Sequence, residues 1–265
     1  MKLRTFTRKQ LGIPYALFLV LFVILPLSVV LYYAFTNEQG QFTMENFFAF
    51  FTNTKAVGTL FYSIMIAFVT TLSCLALAYP TAYILAKGMF SHGAVLVMVA
   101  VTPMWINFTL RITALKEILN VIEGNLAYYP FLNTVIGMTY DFLPFMILPL
   151  YTSILKMDSQ LLEAAEDLGA SGWEIFWKVM LPLSMPGIVS GVTMVFLPAM
   201  TNYVVLDMMY NSTYIMGSLI GSYFNFYDWN NGSMISTILL LMIVLLSWIS
   251  GRFGDSGSRE GGASL

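Results

Sequence analysis

Long apolar stretches separated by short polar segments run through most of this chain. A helix that crosses a hydrocarbon core about 30 Å thick needs roughly 20 apolar residues. Six stretches approach or exceed that length, the third and the sixth being short: about 13–35, 60–86, 94–110, 132–155, 187–206 and 233–250. None shows the alternation over about ten residues that marks the strands of a membrane β-barrel. The pattern predicts an all-α integral membrane protein with about six transmembrane helices.

The segments outside these stretches give no sign of a second folded domain. We expect a short N-terminal segment at 1–12, one membrane domain over 13–250, and a disordered tail over 251–265, which is rich in Gly and Ser. Two segments between the spans are apolar as well. The Phe-rich segment 42–51 predicts a helix lying on the membrane surface, and 215–224 predicts a re-entrant or interfacial segment.

The distribution of basic residues predicts the orientation. If the N-terminus is cytoplasmic, nine of the 12 Lys and Arg residues lie on the inner side. The other three, Lys55, Arg111 and Lys116, lie on the outer side. Because cytoplasmic loops are enriched in Lys and Arg, we expect both termini and the loop over 156–186 to face the cytoplasm. The first apolar stretch is too long for a signal peptide and is not followed by a clean cleavage site.

Composition argues against several classes of protein. Hydrophobic residues make up 58% of the chain and charged residues only 10%, whereas a soluble domain has about 25% charged residues. The single cysteine and the single histidine, Cys74 and His92, cannot form a zinc site. The sequence also has no phosphate-binding Gly-x4-Gly-Lys-Ser/Thr loop. We therefore expect this chain to bind no cofactor and no nucleic acid, and to be a non-catalytic protein.

The polar loop over 156–186 carries a spaced motif. It reads Glu163-Ala164-Ala165, then Gly169, then Val179-Met180-Leu181-Pro182. Apolar residues at helical spacing predict a short helix over 160–168, with Asp158 or Ser159 as its N-cap. Gly169 predicts a left-handed or tight turn after that helix.

A second short helix is predicted over 173–180, and we expect Pro182 and Pro186 to end it before the fifth span. The whole motif resembles the signature of the permease subunits of bacterial ATP-driven (ABC) importers. It matches that signature at every fixed position except one, where Val179 replaces Ile.

This resemblance implies the fold of a type I ABC importer permease. In that family the loop forms coupling helices that dock into the ATPase subunit. The residues to which the resemblance assigns coupling are Glu163, Ala164, Ala165, Gly169, Leu181 and Pro182. ATP and Mg would then be bound by partner ATPase subunits. On composition alone, an ordinary acidic cytoplasmic loop is an equal alternative, and the spacing of the motif favours coupling.

Ionisable residues at membrane depth are candidates for a solute pathway. Asp141 and Asp207 lie near the ends of the fourth and fifth spans, with Tyr140 and Tyr203 nearby. Carboxylates and aromatic faces together suit an aliphatic ammonium ligand. The outer side carries seven acidic residues against three basic ones, a net charge of −4. Both aspartates could instead lie at the water interface, and Arg111 either anchors there or pairs with an acid.

Further segments resemble the permeases of spermidine/putrescine importers, and the likeness runs from about residue 10 to 250. These segments include Tyr79-Pro-Thr-Ala-Tyr-Ile-Leu-Ala-Lys87, Pro103-Met-Trp-Ile-Asn107 and Leu197-Pro-Ala-Met200. The resemblance implies a substrate role for Asp207, and Trp105 is a further aromatic candidate for the pathway, whereas Asp141 has no counterpart in that branch. It also implies a bacterial inner-membrane complex with a second homologous permease, two ATPase subunits and an extracytoplasmic polyamine-binding protein.

Three alternatives remain at this point. An importer permease for another solute, such as ferric iron, sulfate or a phosphonate, would share the coupling motif. An anion carrier should show basic residues deep in the fourth and fifth spans, and this sequence has none there. An ATP-independent secondary transporter would need no coupling loop and often shows an internal repeat. A membrane enzyme would need a catalytic or metal cluster, which the sequence does not indicate.

Overall fold

The computed structural model describes residues 8–88 and 92–259, and within those ranges the chain is almost entirely helical. The α-helices are α1 (Arg8–Leu19), α2 (Leu25–Ala34), α3 (Glu45–Thr52), α4 (Thr54–Ala86), α5 (Gly93–Val101), α6 (Phe108–Glu123), α7 (Pro130–Leu155), α8 (Ser159–Asp167), α9 (Gly172–Ile175), α10 (Leu181–Ala199), α11 (Tyr203–Met208), α12 (Met216–Asn225) and α13 (Trp229–Arg259). Shorter turns are π-helical at Val20–Ile24 and Phe176–Met180 and 3-10 helical at Thr102–Trp105 and Leu126–Tyr128.

Five helical segments are long and apolar enough to cross a membrane: Gly12–Ala34, Thr54–Ala86, Pro130–Leu155, Gly172–Ala199 and Trp229–Trp248. A sixth is formed if Gly93–Trp105 and Phe108–Glu123, which are bent by 96° at the break between them, count as one span. Pro103 lies in the 3-10 turn before the break, and Asn107 then starts α6 by accepting a hydrogen bond from the Thr109 N–H at 2.9 Å. The predicted all-α membrane protein with about six spans is confirmed, and its third span is broken.

The chain divides into two compact units. One unit combines the described residues up to Gly58 with Ser218–Leu241, and the other combines Thr59–Gly217 with the described residues from Met242 onward. The larger unit contains the coupling motif and all five candidate pathway residues, so its internal packing positions both.

Two glycines bring α7 and α10 into close contact. A Cβ atom added at Gly187 would lie 2.7 Å from the Pro149 carbonyl oxygen, and one at Gly191 would lie 3.3 Å from the Pro149 ring. Both glycines are buried, and their spacing of four residues places them on one face of α10. Small residues at this spacing let membrane helices approach closely enough for backbone contact. The two helices therefore form the tightly packed centre of the larger unit.

Helices α4 and α7 run parallel to each other. At their C-terminal ends, the Lys87 ammonium donates a hydrogen bond to the Met157 carbonyl oxygen at 2.9 Å. Near their N-terminal ends, the ring centroids of Tyr62 and Phe131 are 6.3 Å apart. Parallel neighbours need a connection that returns along their whole length. The broken α5–α6 segment must therefore cross the same thickness as the helices on either side of it.

The smaller unit contains the first span and the segments that follow it. No residue in the most apolar window of Gly12–Ala34 is buried within the chain. The segment predicted as a surface helix is helical as α3, where Phe50 is buried and Phe48 and Phe51 are exposed. The Asn46 side-chain amide donates to the Ala34 carbonyl oxygen at 3.1 Å, which links α3 to the end of the first span.

Two boundaries differ from the sequence prediction. Pro182 and Pro186 do not end the second coupling helix, because a continuous helical segment runs from Gly172 to Ala199. Pro182 stands in the first turn of α10, where its missing N–H is tolerated. The fifth span then stops at Ala199 rather than near residue 206, and α11 follows as a separate helix.

The predicted disordered tail is helical over its described part, since α13 continues to Arg259. The segment predicted as re-entrant or interfacial at 215–224 is the ten-residue helix α12. Parts of the predicted terminal segments, at 1–7 and 260–265, lie outside the described residues, as do residues 89–91.

Candidate functional site

Helix α8 contains the Glu-Ala-Ala part of the motif and is delimited as the sequence predicts. The Asp158 carboxylate caps it by accepting a hydrogen bond from the Gln160 N–H at 3.0 Å. At the other end Gly169 has a φ of 83°, a left-handed conformation that favours glycine. The Gly169 N–H donates to the Glu166 carbonyl oxygen at 2.8 Å and the Ala170 N–H to that of Ala165 at 3.1 Å. These bonds satisfy carbonyl groups that the helix end would otherwise leave free.

Helix α9 begins with a capping box. The Ser171 hydroxyl accepts a hydrogen bond from the Glu174 N–H, and the Glu174 carboxylate accepts one from the Ser171 N–H at 3.1 Å. Glu174 also pairs with Lys178 at 2.9 Å, one turn further along the chain. That ion pair is exposed, so it contributes little to stability. The reciprocal cap therefore fixes where α9 starts.

The loop exposes apolar side chains that the described part of the chain leaves largely uncovered. Helix α8 has no buried residue, and Leu168 directly after it is 89% exposed. Trp173 at the start of the next helix is 70% exposed. Because the sequence predicts that this loop couples to an ATPase, we call the exposed face formed by α8 and α9, with Leu161, Leu168, Trp173 and Trp177, the coupling surface. Large apolar side chains exposed together on one loop often mark a protein interface.

The motif residues divide between the coupling surface and the start of α10. Glu163, Ala164 and Gly169 are exposed, and Ala165 is half-buried. Leu181 and Pro182 instead belong to α10, where Leu181 lines a cavity of about 590 Å³ against α4.

An aromatic contact joins the coupling helices to α4. The Tyr79 ring lies 5.4 Å from the Phe176 ring, and the Tyr79 and Ser184 hydroxyl oxygens are 3.0 Å apart. Phe176 follows α9 directly, and Ser184 is buried in α10. This contact holds the helical segment that leaves the coupling surface against the core of the larger unit.

Four of the five predicted pathway residues are exposed in this conformation. Trp105 lies at the break of the bent span and is 89% exposed. Tyr140 on α7, and Tyr203 and Asp207 on α11, are also exposed. Among the described residues, the Asp207 carboxylate has no hydrogen bond or ion pair. An exposed carboxylate with nearby aromatic rings remains available to a cation.

Asp141 is placed differently. Its side chain is 6% exposed, and its carboxylate pairs with the Arg111 guanidinium at 2.5 Å. The neighbouring Tyr140 lies on the exposed side of α7. In this conformation Asp141 is therefore not available to an ammonium ligand, because Arg111 already neutralises it. The alternative in which Arg111 pairs with an acid agrees with the structure.

One contact near Asp207 was not predicted. The Lys116 ammonium lies 4.2 Å from the centroid of the Tyr210 ring, a cation–π contact between α6 and the turn after α11. Tyr210 has a positive φ of 54°, and Asn211 anchors the same turn through hydrogen bonds to Tyr62 and Thr134, each 3.0 Å long. The sequence gives no signal for this contact, because it joins residues far apart in the chain.

The site contains none of the ligand clusters of a metal centre. Within residues 8–88 and 92–259, no group of three or more His, Cys, Asp or Glu side chains is placed to hold a metal ion.

Comparison with known proteins identifies the family. Residues 3–255 match the family model described as binding-protein-dependent transport system inner membrane component. This chain belongs to that family. It is thus a membrane permease subunit of a binding-protein-dependent importer.

Relatives named as spermidine/putrescine transport system permease protein PotB are similar to this permease over most of its length. The Salmonella typhimurium protein is 36% identical over 259 residues, covering 88% of this chain and 90% of its own. The Escherichia coli protein is 34% identical, covering 88% and 94%. The Haemophilus influenzae protein is 35% identical over 264 residues, covering 91% and 92%.

Solved structures share the fold of this permease. A bacterial alginate ABC transporter in complex with alginate pentasaccharide-bound periplasmic protein matches with a TM-score of 0.68 at 12% identity, covering 93% of this chain and 94% of that one. An inward-facing MetNI methionine ABC transporter matches with a TM-score of 0.57 at 17% identity, covering 76% and 95%. At these identities the likeness shows the fold alone, that of ABC importer permeases.

Proposed function

We propose that this permease imports polyamines and that its coupling surface docks on a partner ATPase subunit. The observation that carries the coupling part is that α8 buries none of its residues within this chain, although Leu161 and Leu168 are apolar and exposed. Glu163, Ala164, Ala165 and Gly169 would form the docked face, with the small alanine side chains allowing close approach.

The continuous helix from Gly172 to Ala199 supports a mechanical link between this surface and the membrane core. Leu181 and Pro182 begin its membrane part, and Gly187 packs it against α7. Closure of the ATPase subunits around ATP would move the coupling surface and shift the population from an inward-facing to an outward-facing state. ATP and Mg would be bound and hydrolysed in those subunits, and this chain would remain non-catalytic.

The proposed assembly contains this permease, a second homologous permease, two ATPase subunits and an extracytoplasmic polyamine-binding protein. It lies in the bacterial cytoplasmic membrane with both termini inside. The family description supports the inner-membrane location and the binding protein, and the names of the relatives support a polyamine as the solute.

For the solute, we propose a path of weak ammonium contacts. Asp207 would supply the charge, and Tyr203, Tyr140 and Trp105 would supply ring faces. Asp141 would join the path only in a state in which Arg111 has released it. The carboxylate of Asp207, which has no ion pair with any described residue, and the spermidine/putrescine permeases among the relatives support a cationic solute.

The test is uptake of radiolabelled spermidine and putrescine by cells that lack the gene. We expect wild type to restore uptake and Glu163→Lys to abolish it, because the reversed charge prevents ATPase docking. Asp207→Asn should reduce uptake, whereas Glu45→Gln, which removes an exposed acid from α3, should not. Membrane levels of each variant and co-purification of the ATPase subunits separate lost coupling from lost insertion.

Two results would contradict this proposal. Normal uptake with Glu163→Lys would remove the docking role of α8. Unchanged polyamine uptake on deletion, with no redundant carrier, would discard the polyamine assignment and favour another solute for the same permease fold.

A further inference from the structure

A cavity of about 660 Å³ in the smaller unit combines aromatic rings with carboxylates. Its walls come from two parts of the chain, the end of α2 with the loop after it, and the turn between α12 and α13. Among its lining residues are Tyr32, Tyr33, Tyr227, Trp229, Glu38 and Asp228, which define what we call the aromatic pocket. None of the residues lining it is Lys, Arg or His.

Hydrogen bonds hold the two walls of the aromatic pocket together. The Asn230 side-chain amide donates to the Tyr33 carbonyl oxygen at 3.1 Å and to the Thr36 carbonyl oxygen at 2.6 Å. The Trp229 ring lies 6.5 Å from the Tyr33 ring and 6.3 Å from the Tyr227 ring. The rings are therefore gathered in one place by backbone anchors rather than scattered along an apolar surface.

Tyr227 adopts a backbone conformation that few residues with a side chain adopt. Its φ is 60°, in the left-handed region. Its N–H donates to the Phe224 carbonyl oxygen at 3.1 Å, and the next N–H, that of Asp228, donates to the Tyr223 carbonyl oxygen at 3.0 Å. These two bonds form the motif that commonly ends a helix, and they fix the turn that carries Tyr227 and Asp228 into the pocket wall.

The charges around the pocket favour a cation over an anion. The Asp228 carboxylate occupies the N-terminus of α13, accepting a hydrogen bond from the Asn231 N–H at 3.1 Å, so that helix end is not open to an anionic ligand. Glu38 is exposed, and its carboxylate has no ion pair with any described residue. Carboxylates beside ring faces attract ammonium groups through charge and through the ring quadrupole.

We propose that the aromatic pocket binds a primary alkylammonium group. A cavity of this size accommodates a ligand larger than the ammonium group itself. Two sources offer the same chemistry, a free polyamine or the ethanolamine headgroup of a membrane lipid. The site shares no residue with the Asp207 path, and binding there does not require that the permease transport polyamines.

The test measures equilibrium binding of radiolabelled putrescine to the assembled transporter, without binding protein or ATP, in nanodiscs of phosphatidylglycerol. We expect Glu38→Gln and Trp229→Leu each to weaken binding by about two- to fivefold. The matched controls are Glu45→Gln, an exposed acid on α3, and Tyr15→Leu, an exposed aromatic on α1. A thermal unfolding midpoint close to that of wild type shows for each variant that the transporter remains folded.

Nanodiscs that contain phosphatidylethanolamine distinguish the two sources. If the headgroup occupies the pocket, this lipid should weaken putrescine binding to wild type but leave putrescine binding to Trp229→Leu unchanged. If only the free polyamine binds there, the lipid should change putrescine binding to neither protein. The proposal is overturned if neither pocket variant changes putrescine binding, or if Glu45→Gln weakens it as much as Glu38→Gln does. Unchanged polyamine uptake on deletion of the gene, with pocket binding intact, would instead contradict only the proposed transport function.

Discussion

At the scale of single residues, the ion pair between Arg111 and Asp141 places two opposite charges in the interior of the larger unit, where neither is solvated by water. Both side chains are more than nine-tenths buried. The Nε and Nη1 atoms of Arg111 are also buried, and no described residue accepts a hydrogen bond from them. A buried charge is tolerated only while its partner remains, because the partner replaces the lost solvation. The intact pair therefore adds little net stability to the contact between α6 and α7. Separating the two side chains would be very unfavourable, because each would leave a buried charge unpaired.

Removing one member of this pair should therefore be far more damaging than removing both. We expect Asp141→Ala to lower the free energy of unfolding by about 3–5 kcal/mol, because the Arg111 charge is left buried and unpaired. The double variant Arg111→Met with Asp141→Leu should recover most of that loss. Denaturant unfolding of the detergent-solubilised complex measures both. A loss in the double variant equal to that of the single one would show that the pair itself supplies the stability.

At the scale of elements, the contact between α7 and α10 depends on the absence of side chains. Gly187 is closed in by the Pro149 carbonyl oxygen and by Ser153, whereas Gly58 in α4 has open space where its Cβ would be. The same substitution at these two helical glycines therefore tests close packing against helix propensity.

Gly187→Ala should force α7 and α10 apart and lower the free energy of unfolding by about 1–3 kcal/mol. Gly58→Ala should be neutral or raise it by about 0.5–1 kcal/mol, because alanine favours a helix over glycine. Thermal unfolding of the two purified variants gives the comparison. Equal unfolding temperatures for the two variants would mean that α7 and α10 can move apart at little cost in free energy. That result would contradict the tight packing of these helices.

The turn between α8 and α9 depends on glycine for a different reason. At Gly169 a Cβ would meet nothing within 4 Å, but the positive φ is unfavourable for alanine. We expect Gly169→Ala to destabilise the turn by about 1–2 kcal/mol, with faster amide hydrogen exchange in α8. Gly172→Ala, at the start of α9 and also in open space, is the control and should not loosen α8. Identical exchange in both variants would rule out a role for the left-handed turn.

Features that depend on residues close together in the chain could be predicted from the sequence. Features that depend on packing between distant segments could not. The Asp158 cap and the Gly169 turn follow from side chains within a few residues of the helix ends. The bend of the third span and the contact of Lys116 with Tyr210 depend on packing between segments far apart in the chain. Asp141 shows the same limit, because its chemistry changes once Arg111 is known to face it.

At the scale of the whole molecule, the topology depends on whether the bent α5–α6 segment crosses the membrane. If it did not cross, α7 would start on the cytoplasmic side and the coupling surface would be exposed outside, where no ATPase could reach it. The parallel arrangement of α4 and α7, seen in the contact of Lys87 with Met157, requires a crossing. The positive-inside count points to the same topology from independent information.

Single cysteines at two exposed positions test this topology directly. Tyr128, between α6 and α7, is 72% exposed, and Leu168 on the coupling surface is 89% exposed. In a Cys74→Ala background, which removes the native thiol, Tyr128→Cys should react with a membrane-impermeant maleimide added to intact spheroplasts. Leu168→Cys should react only after permeabilisation, because α7 carries the chain across the membrane between the two positions. Labelling of both from the same side would contradict the crossing by α7, and labelling of Leu168→Cys from outside would invert the orientation and remove the basis for ATPase coupling.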